Sequence, residues 1–372
     1  MKVSFLSESI QKRLSLLNHA VSAKSQLPVL LNFLIETSDG KLKISATDLE
    51  IGIEIYIPTT IEEEGGITVP AKVFTELINS LPVGKITLQT EGGSLKVISS
   101  RSESIFQTIS QEDFPKLYQQ KGDKIAEISV KDLHDEFLKV VFAASLDIAR
   151  PALTGVLMKK EETGFLLVAT DGYRLSLKHY KAESVSNLEN GASFLIPSRL
   201  IKEVIGLKGE DGPVILYTAK ESNQVVFEQK DVLIVGRLIE AEFPSYERIL
   251  PEDFATRVIF DRGEFQSAVK TSAIFARETA NIIKVSAQKD KLVLSANTPS
   301  VGSNSVEIEV KQSGEENEIA FNARYVLDML SIITENEMVF EMTGPLNPGV
   351  FKIASDPSYL HIIMPIRIQT EK

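Results

Sequence analysis

The chain has 372 residues, 43% of them apolar and 24% charged, with a net charge of −11 and no cysteine. That length exceeds one ordinary core and suits about two or three domains. The missing cysteine excludes a disulfide framework, a thiol nucleophile and a cysteine-based zinc site, and the acidic balance argues against a protein whose whole surface coats nucleic acid. No apolar run approaches the ~18 residues of a membrane span, and MKVSFLSESIQKR lacks the apolar core of a leader. With no cysteine to oxidise, the expectation is a cytoplasmic protein with no membrane partner.

In chain order, the first pattern is helical. Ile10, Leu14, Leu17 and Val21 recur at helical spacing across 7–22, with Ser7 or Ser9 as N-cap. A strand pair follows in KLKISATDLEIGIEI (41–55), and a short strand then runs into a proline-led helix in ITVPAKVFTELINSLP (67–82). The same order returns. Residues 129–145 set Leu133, Phe137, Val140 or Val141, and Ala144 on one helical face. GFLLVATDGYRLSLK (164–178) is a second strand pair around an Asp171-Gly172 turn, and FLIPSRLIKEVIGL (194–207) a second proline-led helix. A third round runs through 261–277, with Phe265, Ala268 or Val269, and Ser272 or Ala273. It continues through KLVLSANTPSVGSNSVEI (291–308) and IAFNARYVLDMLSII (319–333), and YLHIIMPIRI (359–368) closes it.

The landmarks keep near-constant spacing. Ala46, Ala169 and Ala296 align 123 and then 127 residues apart, and Lys72, Arg199 and Arg324 align 127 and 125 apart. Phe114-Pro115 and Phe243-Pro244, 129 residues apart, end the first two rounds. The pattern predicts an α+β fold of three repeated domains, 1–120, 121–250 and 251–372, with turn-rich or charged boundaries near 116–127 and 247–256. Helices covering one face of an antiparallel sheet leave the other face to water.

Candidate chemistry is sparse. The four histidines, His19, His134, His179 and His361, have no metal-ligand spacing and no nucleophile motif, and each reads as a surface or partly buried side chain. No phosphate-cradling glycine loop is present, and the runs at Gly65-Gly66 and Gly92-Gly93 read as hairpin turns. Asp48 and Asp171 occupy matched positions from which a paired-acid hydrolase could be built. The plainer reading is that each starts a turn and accepts backbone N–H groups two residues on. No cofactor or metal is expected.

The cations say more. Lys72, Arg199 and Arg324 fall in the first turn of the second helix of each repeat, where a positive charge opposes the helix dipole. Three such placements suggest a compensating gain such as a phosphate. An ordinary solvated face explains them equally, because Glu76, Glu203 and Asp328 share those helices. Two other classes stay open on residues alone: a monomeric β-rich hydrolase, and a row of three binding domains for a polyanion or peptide that never closes into a ring.

ATDGYRL (169–175), the helix starts Val69-Pro70-Ala71-Lys72 and Ile196-Pro197-Ser198-Arg199, the two Phe-Pro pairs and the closing MPIRI (364–368) together resemble the bacterial DNA polymerase III β subunit, the sliding-clamp family. The resemblance runs from the first helix to Ile368. It implies three DNA-clamp domains per chain, helices inside and antiparallel sheets outside, closing head to tail as a dimeric ring around duplex DNA. It implies no enzymatic activity. The implied partners are a second copy of the chain, duplex DNA, the replicative DNA polymerase, the clamp loader, and repair and replication proteins that carry a linear clamp-binding motif.

By the same resemblance, DNA contact falls to Lys24, Lys72 and Arg199, with Arg324 added by repeat position. A partner-peptide pocket takes Leu153, Thr170, Gly172, Tyr173, Arg174, Leu175, Pro244 and Ile249, bordered by Arg150. The third domain adds Asn322, Tyr325, Leu346, Pro348, Ile362, Met364, Pro365 and Arg367. Ser104 and Phe106 would meet Ile274 and Phe275 across the dimer contact. The third repeat, ANTPSVGSNS (296–305), lacks the Asp-Gly turn, so only the 170–175 copy supports a pocket. Ala152 is small where some relatives carry an aromatic residue, Gly349 leaves the register of Leu346 and Pro348 open by one residue, and the Gln369–Lys372 tail runs past the usual end.

Overall fold

The computed structural model describes residues 1–22, 24–118, 120–182, 184–185, 188–207, 212–219 and 222–367; the Gln369–Lys372 tail lies outside the described residues. The chain forms two compact units. One comprises residues 1–130, 183–187 and 199–238, and the other residues 131–182, 188–198 and 239–372. These units are not the sequence repeats, because the central repeat contributes strands to both.

The first unit holds two antiparallel sheets. Five strands run in the order Thr60–Glu63, Lys2–Leu6, Lys85–Glu91, Ser94–Ile98, Glu103–Gln107, so the last is an open edge. Nine strands run Ser184–Val185, Asp123–Ile128, Val214–Ala219, Gln224–Gln229, Val232–Arg237, Ile51–Pro58, Lys41–Thr47, Asn32–Ser38, Gly66–Pro70. Period-two alternation sets the faces: Leu42 and Ile44 are buried, while Lys43 points out and pairs with Glu36 at 2.7 Å. Helix α1 (Glu8–Asn18) buries Ile10, Leu14 and Leu17 of the expected stripe, but Val21 lies past its end and is half-buried, and the Ser7 side chain makes no capping bond; α2 (Ala71–Ser80) buries Ala71, Phe74 and Ile78. Phe74 packs between Phe33 and Phe106, with ring centroids 6.4 and 5.9 Å away.

The second unit repeats the scheme. Nine strands run Ser193–Pro197, Gly155–Glu161, Gly164–Thr170, Arg174–Lys181, Asp356–Ile363, Gly349–Ile353, Glu337–Met342, Thr256–Asp261, Lys311–Gly314. Four run Gly302–Glu309, Lys291–Thr298, Ile282–Gln288, Asn317–Asn322, so Gly302–Glu309 is another open edge. Phe260, Phe265, Phe321, Phe340 and Phe351 form the centre of its core, with Phe340 stacked on Phe351 at 4.6 Å.

One helix departs from expectation. The segment read as a single helix over 129–145 is helical at α3 (Val130–Asp132), widens to a π-helix at Leu133–Phe137, and returns to α-form at α4 (Leu138–Val141). The wide turn shifts the register by a residue, and Leu133, Phe137, Val140 and Val141 are then all buried. The ambiguity between Val140 and Val141 in the sequence is the trace of that shift. The remaining helices, α5 (Ser198–Ile205), α6 (Arg262–Ala276) and α7 (Ala323–Ile332), fall where periodicity puts them.

Candidate functional site

The turn after Gly164–Thr170 is closed by its own side chains. Thr170 Oγ1 donates to Arg174 O at 2.6 Å and accepts from Gly172 N at 3.0 Å; Asp171 Oδ1 accepts from Tyr173 N and Arg174 N at 2.9 and 3.0 Å. Gly172 sits at φ +92°, which favours glycine. The aspartate thus does the turn-building work expected of it, and Asp48 does the same in the first unit. The acid–acid chemistry of a hydrolase has no support in these roles.

Asp171 Oδ2 also accepts from Arg174 Nε at 3.1 Å, and Arg174 becomes the hub of the site. Its Nη1 donates to Asp328 Oδ2 of α7 at 2.7 Å and its Nη2 to Phe142 O at 3.3 Å. The guanidinium lies over the Tyr325 ring at 4.8 Å and the Phe142 ring at 5.4 Å. Tyr325 stacks in turn on Tyr173 at 6.3 Å, and Tyr173 is 58% exposed. On the core side, Phe142 lies 5.2 Å from His361. A file of flat groups therefore leads from His361 through Phe142, Arg174 and Tyr325 to a solvent-facing Tyr173.

His361 corrects an expectation: it is wholly buried rather than at the surface or partly buried, with Ser176 Oγ 3.1 Å from its Nδ1. Burial, with the Arg174 charge adding to it, holds its pKa down to about 3, so the ring is neutral. Burial likewise pushes the Tyr325 hydroxyl up from the usual tyrosine range, with the Asp171 charge adding to it.

Around this file the other candidates separate. Met364 N donates to Tyr173 O at 2.8 Å, which places the half-exposed Met364 side chain beside the turn. Arg150 reaches over Gly172, its Nη1 donating to Asp171 O at 3.3 Å. Leu153 and Thr170 are buried behind the turn. Leu175 and Ile362 pair across adjacent strands, fully buried in a cluster with Tyr246 and Val350. They form the floor and not the wall.

Asn322 caps α7, its Oδ1 accepting from Arg324 N at 3.0 Å. Pro244 lines a different cavity, of about 490 Å³, with Phe243, Tyr246 and Ile239; Ile249 is exposed nearby in sequence. Leu346 is exposed, and Pro348 lines a small cavity of about 90 Å³ with Phe254 and Leu360. Pro365 is half-buried. Ile366 N donates to Ala320 O at 2.8 Å, and the chain then carries Arg367 to a cavity of about 800 Å³ with Lys284, Ser295 and Asn297. Sequence reasoning missed Phe142 and Asp328, which hold Arg174; only the matched position of α7 hinted at the second.

The cations also divide. Lys24, Lys72 and Arg324 are exposed and make no ion pair among the described residues. Arg199 does not share that state. Its Nη1 donates to Asp48 Oδ2 at 2.5 Å, its Nη2 to His19 O at 2.8 Å, and Glu50 lies 3.8 Å away.

Of the dimer candidates, Ile274 is exposed on α6 and Phe275 packs partly on the core. Ser104 is half-buried and Phe106 faces inward onto Phe74, while their neighbour Ile105 is 64% exposed on the other face of that edge strand. Among the described residues no three His, Cys, Asp or Glu side chains gather as a metal site, and no helix is long and apolar enough to cross a membrane.

Repeated α+β units built on antiparallel sheets are the architecture that the resemblance to the clamp family implies. Sequence profiles for the DNA polymerase III beta subunit match in three parts: the N-terminal domain at residues 1–118, the central domain at 127–245 and the C-terminal domain at 247–367. The chain belongs to the DNA polymerase III beta subunit family. It is 31% identical over 360 residues to the beta sliding clamp of Staphylococcus aureus, covering 94% of each chain. The crystal structure of the Bacillus subtilis DNA polymerase sliding clamp superposes with a TM-score of 0.94 at 27% identity, over 99% of this chain and 100% of that one. The Pseudomonas aeruginosa sliding clamp bound to griselimycin superposes with a TM-score of 0.92, again at 27% identity and over 99% and 100%.

Proposed function

We propose that the chain is a DNA polymerase processivity factor, a non-enzymatic cytoplasmic clamp with domains 1–120, 121–250 and 251–372. Two copies close head to tail around duplex DNA. The observation that carries this reading is the match of three clamp domains in series along one chain. The open edges Glu103–Gln107 and Gly302–Glu309 suit it, because an unpaired strand edge is a ready site for a second chain, and a head-to-tail contact makes a ring when its rotation closes. Phe106, packed inward on Phe74 at the first edge, would then lie near Ile274, which α6 exposes, in the second copy.

Retention is topological, so the cations need only weak, sequence-blind phosphate contact that permits sliding. Lys24, Lys72 and Arg324 serve this directly. Arg199 contributes less, since Asp48 already takes its charge. Partners dock a linear peptide at Tyr173, Tyr325 and Met364, with Arg150 and Arg174 framing the site. The replicative polymerase, the clamp loader and repair proteins would share it, and the flexible Met364 suits several occupants.

The deciding experiment loads the protein onto nicked circular DNA with a clamp loader and ATP, washes in high salt, and linearises half the sample. Retention on circles with loss from linear ends is expected. Equal loss from both would leave only ordinary phosphate binding and overturn the ring.

A further inference from the structure

The loop between Ser145 and Arg150 is unusual for a surface loop. Ile148 is 88% exposed and Leu146 86%, the two highest values among the large apolar side chains described. The loop is nonetheless tied at several of its amides. Asp147 N donates to Ser145 Oγ at 3.0 Å, Ala149 N to Asp147 Oδ1 at 3.0 Å, and Arg150 N to Asp147 O at 3.1 Å. Arg150 Nε closes the loop on Asp147 Oδ2 at 2.9 Å, while its Nη1 holds Asp171 O. One arginine therefore staples this loop to the turn that presents Tyr173, and two aliphatic side chains are held out in water beside an exposed aromatic one.

We propose that this loop is a second, apolar half of the partner-docking surface, with Leu146 and Ile148 receiving a bulky apolar side chain from the flank of a docked polypeptide. Arg150 is the positioning residue that fixes the two halves relative to each other. The proposal rests on the reading that Tyr173 and Met364 belong to a peptide site, with which the loop is continuous through Arg150. The chemistry favours a polypeptide over DNA, because the loop's one cation is spent on Asp147 and two aliphatic side chains offer nothing to a phosphate. With the loop backbone already tied, covering them costs side-chain rotamer freedom but little backbone entropy.

The test uses the full chain and two labelled synthetic peptides. One is a short linear clamp-binding peptide taken from the replicative polymerase; the other is the same peptide with a flanking tryptophan at each end. The double variant Leu146→Ser with Ile148→Ser removes side chains that pack on little, so its melting curve should match the parent. The extended peptide should bind the parent more tightly than the short one. That advantage, roughly tenfold, should vanish in the variant, while the short peptide binds both proteins alike. Arg150→Ala, which keeps both aliphatic residues but frees the loop, should also erase the advantage.

An advantage undiminished in the double variant overturns the proposal. So does unchanged peptide binding together with weaker retention on circular DNA, which would make the occupant DNA, or with a shift to monomer, which would make it a second copy. Failure of the short peptide to bind even the parent would instead overturn the peptide-site reading itself.

Discussion

The turns at 47–51 and 170–174 are the same object built twice. Thr47 Oγ1 donates to Ile51 O and accepts from Leu49 N, and Asp48 Oδ1 accepts from Glu50 N and Ile51 N, bond for bond as in the second turn. The strands that follow pair alike: Arg237 N reaches Glu50 O at 3.3 Å where Met364 N reaches Tyr173 O. The side chains differ, and they decide what each turn becomes. In the first unit a charged Glu50 stands where Tyr173 does, and Asp48 is spent on Arg199. Gly52 replaces Leu175, leaving space filled by Leu117, whose Cδ1 would lie 2.9 Å from an added Cβ. The first turn is a closed joint held by ions. The second keeps an aromatic face open. A shared backbone device therefore carries no function by itself.

Breaking the hub of the second turn has the largest expected effect. Arg174→Ala leaves Asp171 and Asp328 without their partner and opens the file between Phe142 and Tyr325. A loss of about 2–3 kcal/mol in unfolding free energy is expected, mostly from Asp171 because Asp328 is half-exposed, read from urea melts, together with loss of peptide affinity. Native-like stability would mean that the turn stands without its arginine.

The strand positions behind the two turns give the next contrast. Ile53 pairs with Ile234 in the first unit, where Ser176 pairs with His361 in the second. Between about pH 6.5 and the folded pKa near 3, an unfolded His361 takes up a proton that the folded one refuses. Stability should therefore fall as pH falls through that window, by at most about 1.4 kcal/mol per pH unit. His361→Ile, which copies the first unit, should flatten this dependence in melts between neutral pH and pH ~5. An unaltered slope would assign the acid sensitivity to other groups.

Smaller effects separate the cations. Lys72→Gln should lower the slope of DNA affinity against salt by about 1. Arg199→Gln should leave that slope nearly unchanged and cost about 1 kcal/mol of stability, modest because the pair is partly exposed. Equal salt effects from both would make Arg199 a phosphate contact after all. Smallest are the left-handed positions. Gly172→Ala should cost about 1 kcal/mol from strain alone, since Arg150 Nη1, 3.5 Å from the new Cβ, is in ordinary contact. Leu49→Gly, at φ +78°, should gain a fraction of that. Calorimetric melting temperatures check both.

Much of this was legible in the residues. Period-two and helical spacing placed the strand pairs and six of the helical segments, and the near-constant offsets exposed the repeats. The Thr-Asp turn was readable because its hydrogen bonds join residues at most four apart. Places where the site depends on distant partners were not. The fork of Arg174 onto Asp328 and Phe142, and of Arg199 onto Asp48 and His19, joins residues far apart in the chain that no local pattern links. The π-turn at Leu133–Phe137 is a one-residue shift that spacing registers only as ambiguity.

The sequence by itself determined local geometry, repeat order and family, because turn chemistry and periodic burial are short-range and written residue by residue. Only the tertiary structure decided which of the two equal turns stays open, which cations remain unpaired, and that His361 is a buried neutral ring. Charge and exposure are set by what the fold brings within a few ångströms, and neighbours in space are not neighbours in the chain.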